Sequence, residues 1–192
     1  MKKLDLQELY SLEQYHVLRN QFRSEVIGHK KNRQLPIGPN VTLYFEDRLT
    51  IQYQIQEILR VEKVFSREGV EEELSAYNPL IPDGSNFKAT FMIEYSDEAE
   101  RKKALKGLIG IEDLVFLNVG DSKIPAIADE DLVRENEEKT SAVHFLRFEL
   151  PIEIVTALKN NESFSFSIEH ENYHHVQVPP ELIRTSLVND LD

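Results

Sequence analysis

No cysteine occurs anywhere in the 192 residues. Its absence excludes disulfides, thiolate nucleophiles, zinc-thiolate sites and protein-ligated iron-sulfur clusters from this chain. A Gly-rich phosphate loop, a nucleophile elbow and a His-Glu-x-x-His helix are also missing, so the standard enzyme signatures are not met. Met1-Lys2-Lys3 opens like a secretory leader, but Asp5, Gln7 and Glu8 stand where an apolar stretch would be needed, and no apolar run reaches membrane-spanning length. The expectation is a cytoplasmic chain with no membrane partner. Positive charge is scarce: 22 Lys and Arg against 34 Asp and Glu leave a net charge of −12. That surplus repels nucleic acid and anionic membranes wherever no local basic patch opposes it.

With 41% hydrophobic and 29% charged residues, the chain has the composition of a folded globular protein rather than a disordered one, and no repeat is visible. Its length suits a single domain over residues 1–192, free to fold alone or as a homo-oligomer. A helix-rich part spans 1–86, a sheet-rich part 87–178 and a last helix 179–192. The organising stretch is Val41–Phe65. Val41 to Phe45 reads as a short strand, and Asp47 caps a helix in which Ile51, Ile55, Ile58, Leu59, Val61 and Phe65 form one stripe at about 3.6 residues per turn. Leu49 to Gln56 also alternates like a strand, but the pattern outlasts a normal strand and the later residues are good helix formers. Glu62 falls inside the apolar stripe.

Before it, Ser11 to Lys31 reads as a helix with Tyr15, Leu18, Phe22 and Val26 on one face and His29 continuing that face. Gln34 to Asn40, with two prolines and a glycine, reads as a connector, Glu71 to Tyr77 as a short helix, and Asn78 to Asn86 as a proline-stiffened loop. From Phe87 the order is strand (to Tyr95), helix (capped by Ser96), strand (Leu114 to Val119), strand (Lys123 to Ala128), helix (Asp129 to Glu138) and strand (Thr140 to Leu150). That β-α-β-β-α-β order, over about 87–150, predicts an α+β fold with a ferredoxin-like split βαβ core in a mostly antiparallel sheet, packed with the N-terminal helices. A helix from Pro151, a hairpin turning at Glu171-Asn172 and a helix from Pro179-Pro180 follow.

The ionisable residues on predicted core faces are His29, Glu62, His144 and Arg147. A buried charge needs a partner, so a Glu62 to Arg147 pair is one expectation. Two histidines and a carboxylate, His29, Glu62 and His144, also compose a donor set for a divalent metal or non-haem iron, though they lie on separate elements without ligand spacing. Lys30, Lys31 and Arg33 make a basic helix end that complements the helix dipole or binds an anion or RNA. Glu13-x-x-His16 and Glu171-x-x-His174 match the spacing of di-iron carboxylate bundles, but the second falls in a turn. The stretch Glu169 to His175 reads as a solvated hairpin tip.

Several segments together resemble an uncharacterised bacterial family known as a domain of unknown function: His29 to Arg33, Val41-Thr42-Leu43 with Phe45-Glu46-Asp47, Gln54 to Glu57, Tyr77 to Gly84, Gly110 to Asp113 and Ser141 to Leu150. The resemblance implies genes lying beside a rubrerythrin and a heterodisulfide-reductase-like iron-sulfur protein, hence a role near peroxide defence or electron transfer. It implies no catalytic residues. Three functional expectations stand: a non-catalytic accessory or docking partner of that redox system, a metal-dependent enzyme using His29, Glu62 and His144, and anion or RNA binding at residues 29–33.

Overall fold

The structure, a computed structural model, describes residues 1–128 and 139–192. In chain order the elements are α1 (Leu12–Lys30), β1 (Gln34–Pro36), β2 (Val41–Phe45), α2 (Arg48–Glu62), α3 (Arg67–Tyr77), β3 (Asn86–Ile93), α4 (Glu98–Gly107), β4 (Val115–Val119), β5 (Ser122–Pro125), β6 (Ile127–Ala128), β7 (Val143–Glu149), α5 (Ile152–Lys159), β8 (Phe164–His170), β9 (Tyr173–Gln177) and α6 (Glu181–Val188). The helix expected from Asp129 to Glu138 lies outside the described residues.

The strands form two antiparallel sheets, ordered β1-β2-β3-β7-β6 and β5-β4-β8-β9. The α+β class with antiparallel sheets therefore holds. The split βαβ core does not: β3 and β7 belong to the first sheet while β4 and β5 pair in the second. Element order alone cannot separate these outcomes, because β8, beyond the predicted core, is the strand that draws β4 away. Val115 to Val119 pair with Phe164 to Ile168 along the whole length of β4.

Phenylalanines weld the inner faces of the sheets together. Phe166 stacks 5.1 Å from Phe45 and 5.3 Å from Phe148, and Phe164 lies 6.4 Å from Phe87. Period-two alternation places these rings: Phe87, Ala89, Phe91 and Ile93 point inward from β3, leaving Lys88, Thr90 and Met92 on the outer face. Beside the sandwich, α1 and α2 pack on each other. Tyr15, Phe22 and Val26 of α1 meet Leu49 and Tyr53 of α2, while Ile51, Ile55 and Leu59 bury against Leu4, Leu74 and Ile81. Leu18, predicted on the same stripe, is 38% exposed.

Sheet and helices are also joined by polar side chains. The Tyr173 hydroxyl on β9 donates to the Ile37 carbonyl at 2.7 Å and accepts from the Asn40 amide at 3.0 Å, stapling the second sheet to the β1–β2 turn. Gln56, fully buried on α2, accepts from the Tyr10 amide at 2.6 Å and donates to its carbonyl at 3.3 Å. Gln56 is thus the polar member of the α2 core face, not Glu62. Glu62 is the last residue of the helix and exposed, since Lys63 turns into the left-handed region at φ 56° and takes the chain off the stripe. Val61, in the last turn of α2, and Phe65, past its end, are 63% and 74% exposed and also lie outside the core.

Candidate functional site

Where β2 gives way to α2, the chain turns through Glu46 and Asp47, both buried. Asp47 caps α2 as its sequence position predicts, its Oδ1 accepting from the Thr50 amide at 2.9 Å. Its other oxygen bonds His29 Nε2 at the end of α1 and lies 3.1 Å from Arg33 Nε. Arg33, 2% exposed, donates to the carbonyls of Phe45 and Glu46 at 3.1 Å each and to Ser186 Oγ at 3.0 Å, and it pairs with Asp190 just after α6. A planar fork of five donors suits such a position, which a lysine could not fill. Burial pushes the Asp190 carboxyl above its ordinary range, and Arg33 pulls it back only in part.

Arg33 is therefore no part of a surface anion site. It is a buried keystone that ties α1, β2 and α6, while Lys30 lies over the Tyr53 ring, 5.9 Å from its centre, and Lys31 points to solvent. The basic run splits because the chain leaves the helix after Lys30, turning the last residue of the run into the core as β1 begins.

The remaining predicted polar residues have separate surroundings. His144 is buried on β7, its Nε2 3.0 Å from both the Ser141 carbonyl and Thr140 Oγ1, its Nδ1 3.6 Å from Glu112 Oε1. Arg147 points to the outer face, about two-fifths exposed, and pairs with Glu149 rather than Glu62. Among the described residues no group of three or more His, Asp or Glu side chains is arranged to hold a metal ion, and His29, Glu62 and His144 do not come together.

Next to the keystone, the outer face of the first sheet carries a cleft of about 550 Å³. Its floor is a row across three strands. Lys88 sits opposite Arg147 in the β3–β7 register, and the Glu46 amide donates to the Lys88 carbonyl at 2.8 Å from the other side. The 79–83 loop and Lys3 form the rim. Lys88 Nζ reaches over that loop to the carbonyls of Pro79 and Ile81. Burial pushes the Lys88 ammonium below the ordinary lysine range. Asp83 and Glu149 oppose that shift, while Arg147 and Lys3 add to it. Glu46 is held by hydroxyls alone, from Thr50 at 2.6 Å and Thr90 at 2.7 Å, and no ion pair reaches its carboxylate among the described residues. A pocket of this size, with a few convergent polar groups and a displaced lysine, is suited to a small ligand.

Lys88 and Glu46 escape sequence reasoning for different reasons. Lys88 interrupts an otherwise apolar alternating strand, a legible signal, whereas Glu46 looks like part of an exposed corner. Asp190 has no local signal at all.

A family model described as "Protein of unknown function (DUF3501)" matches residues 3–191. A crystal structure described as a novel protein of unknown function from Burkholderia pseudomallei K96243 shares 48% identity, with a TM-score of 0.93 over 100% of both chains. No curated protein matches.

Proposed function

This chain belongs to the DUF3501 family, and from that premise we propose that it is a binding protein for a small anionic ligand, seated in the cleft on the outer face of the five-stranded sheet. One observation carries the reading. Lys88 and Arg147 stand side by side in the β3–β7 register on the cleft floor with Lys3 on the rim, three cations along one cleft, which Asp83 and Glu149 also line, of a chain whose net charge is −12. Gathering like charges is costly, and a bound carboxylate or phosphate offsets that cost with charge-assisted hydrogen bonds. Lys88 has spent two of its three donors on carbonyls. The Arg147 to Glu149 pair is a surface pair, which a ligand anion can displace cheaply.

The test is a thermal-shift titration with phosphate, citrate and simple carboxylates against the parent and Arg147→Met. A ligand at a hundredfold its Kd stabilises by about 2.7 kcal/mol, worth about 5 to 10 °C for a chain of this size. The parent should shift and the variant should not. Equal shifts in both, or none in either, would overturn the reading.

A second reading keeps the accessory role implied by the resemblance, docking on a rubrerythrin-like or iron-sulfur protein. Apolar side chains exposed around edge strand β9 and α6 favour it: Val176 at 59%, Val178 at 61% and Leu182 at 69%. Pull-down from native extract should recover one of those proteins with the parent and lose it with Val176→Asp. Recovery of neither counts against docking.

A further inference from the structure

The cleft has a second pole. Glu46 is 7% exposed, lines the cleft at the end of the row beside Lys88, and is an acceptor with room to spare. An ionised carboxylate offers about four lone-pair directions. Two are taken by the Thr50 and Thr90 hydroxyls and none by a cation of the described residues. Burying a carboxylate without a counter-charge is expensive, and Arg33, the nearest buried cation along the chain path, binds only the Glu46 backbone carbonyl.

The floor runs Glu46, Lys88, Arg147 across neighbouring strands. At a strand spacing of about 4.8 Å, a negative pole and a positive pole are separated by one to two strand widths. We propose that the ligand of this cleft is a zwitterion of the 2-amino acid type, its ammonium on Glu46 and its carboxylate on Lys88 and Arg147. This rests on the anion-binding reading above and adds the group that the anion alone leaves unexplained. A volume of about 550 Å³ accommodates an amino acid with its side chain lying toward the rim at Lys3 and the 79–83 loop. The oppositely charged poles also act as a filter: a dianion places its second charge against Glu46, and a diamine places one against Lys88.

The experiment compares each proteinogenic amino acid with the 2-oxo acid of the same side chain, by calorimetric titration of the unaltered full chain. The two ligands share the carboxylate and differ in the amine. We expect at least one amino acid to bind at least tenfold tighter than its 2-oxo partner. Glu46→Gln should erase that ratio while the 2-oxo acid keeps its affinity; Arg147→Met should weaken both. Because the ratio is read on the unaltered protein, it does not depend on Glu46→Gln folding. If 2-oxo acids bind as well as amino acids, the zwitterion inference fails and anion binding survives. If neither class nor any simple anion binds, both fail.

Discussion

Removing the Glu57 carboxylate should detach α1 from α2 by an amount that the structure sets. Tyr15 donates to Glu57 Oε1 at 2.7 Å, and Arg19 forms a bidentate pair with it, both bonds at 2.8 Å. Arg60 adds two longer bonds, at 3.3 and 3.2 Å, from the next turn of α2. The Arg19 guanidinium, first, and the Tyr15 hydroxyl hold the Glu57 carboxyl at about 2, against an ordinary 4.5, with burial opposing them. At 1.36 kcal/mol per pH unit that gap of about 2.5 sets an upper limit of about 3 kcal/mol, which solvent screening of a partly exposed pair brings down to about 1 to 2 kcal/mol. The folded value is lowered, so the stabilisation is complete above 4.5 and is lost as pH falls toward 2. Urea unfolding of Glu57→Gln should therefore show a deficit of about 1 to 2 kcal/mol at pH 7, shrinking by more than half at pH 3. Arg19→Met combined with Glu57→Gln should cost little more than either alone, since each already breaks the pair. A deficit under about 0.5 kcal/mol at pH 7, or one that does not change with pH, would refute this account.

Arg33→Met should cost about 3 to 5 kcal/mol in urea unfolding by leaving Asp47 and Asp190 buried without their cation, and Arg33→Lys should rescue less than half. Glu62→Gln, at an exposed helix end, should stay within about 0.5 kcal/mol of the parent and leave metal content unchanged; a larger loss would return Glu62 to the core. Gly38 and Gly110 both hold a positive φ, but a Cβ on Gly38 would stand 2.6 Å from the His175 ring and 2.7 Å from the Tyr173 hydroxyl, while one on Gly110 meets nothing within 4 Å. Gly110→Ala should thus cost about 1 kcal/mol and Gly38→Ala about 3, and equal losses would show that the Tyr173 staple yields freely.

Local patterns were the readable part. The strand at Val41–Phe45, the Asp47 cap and the alternation from Phe87 match the structure because each depends on residues within a turn or two. Sheet membership was not readable, since β4 finds its partner about fifty residues downstream in β8, and nothing in either strand names the other. The proline makes Gln34–Pro36 read as a connector, yet Leu35 pairs with Leu43, and the proline sits at the last position of an edge strand where a missing donor is tolerated. His29, half-buried at the end of α1, has a helix cap as its partner rather than a second histidine. Glu62 shows the limit of periodicity: it is the last residue of α2, and an apolar stripe does not say whether the final turn of a helix is covered.

The bond between Arg33 and Asp190 spans 157 residues. On a ribosome adding about 5 to 20 residues per second, Arg33 emerges roughly 8 to 30 seconds before its partner has been made. Until then the arginine has Asp47 and two backbone carbonyls within reach, but its outer face is open where α6 will lie. The five-stranded sheet, whose last strand in chain order ends at Glu149, can therefore pair before α6 is made, whereas the sandwich waits for β8 and the contact with Asp190 comes later still. In the finished protein the same contact makes α6 report on α1, so amide exchange in the last helix should track the opening of the N-terminal half and not merely local fraying.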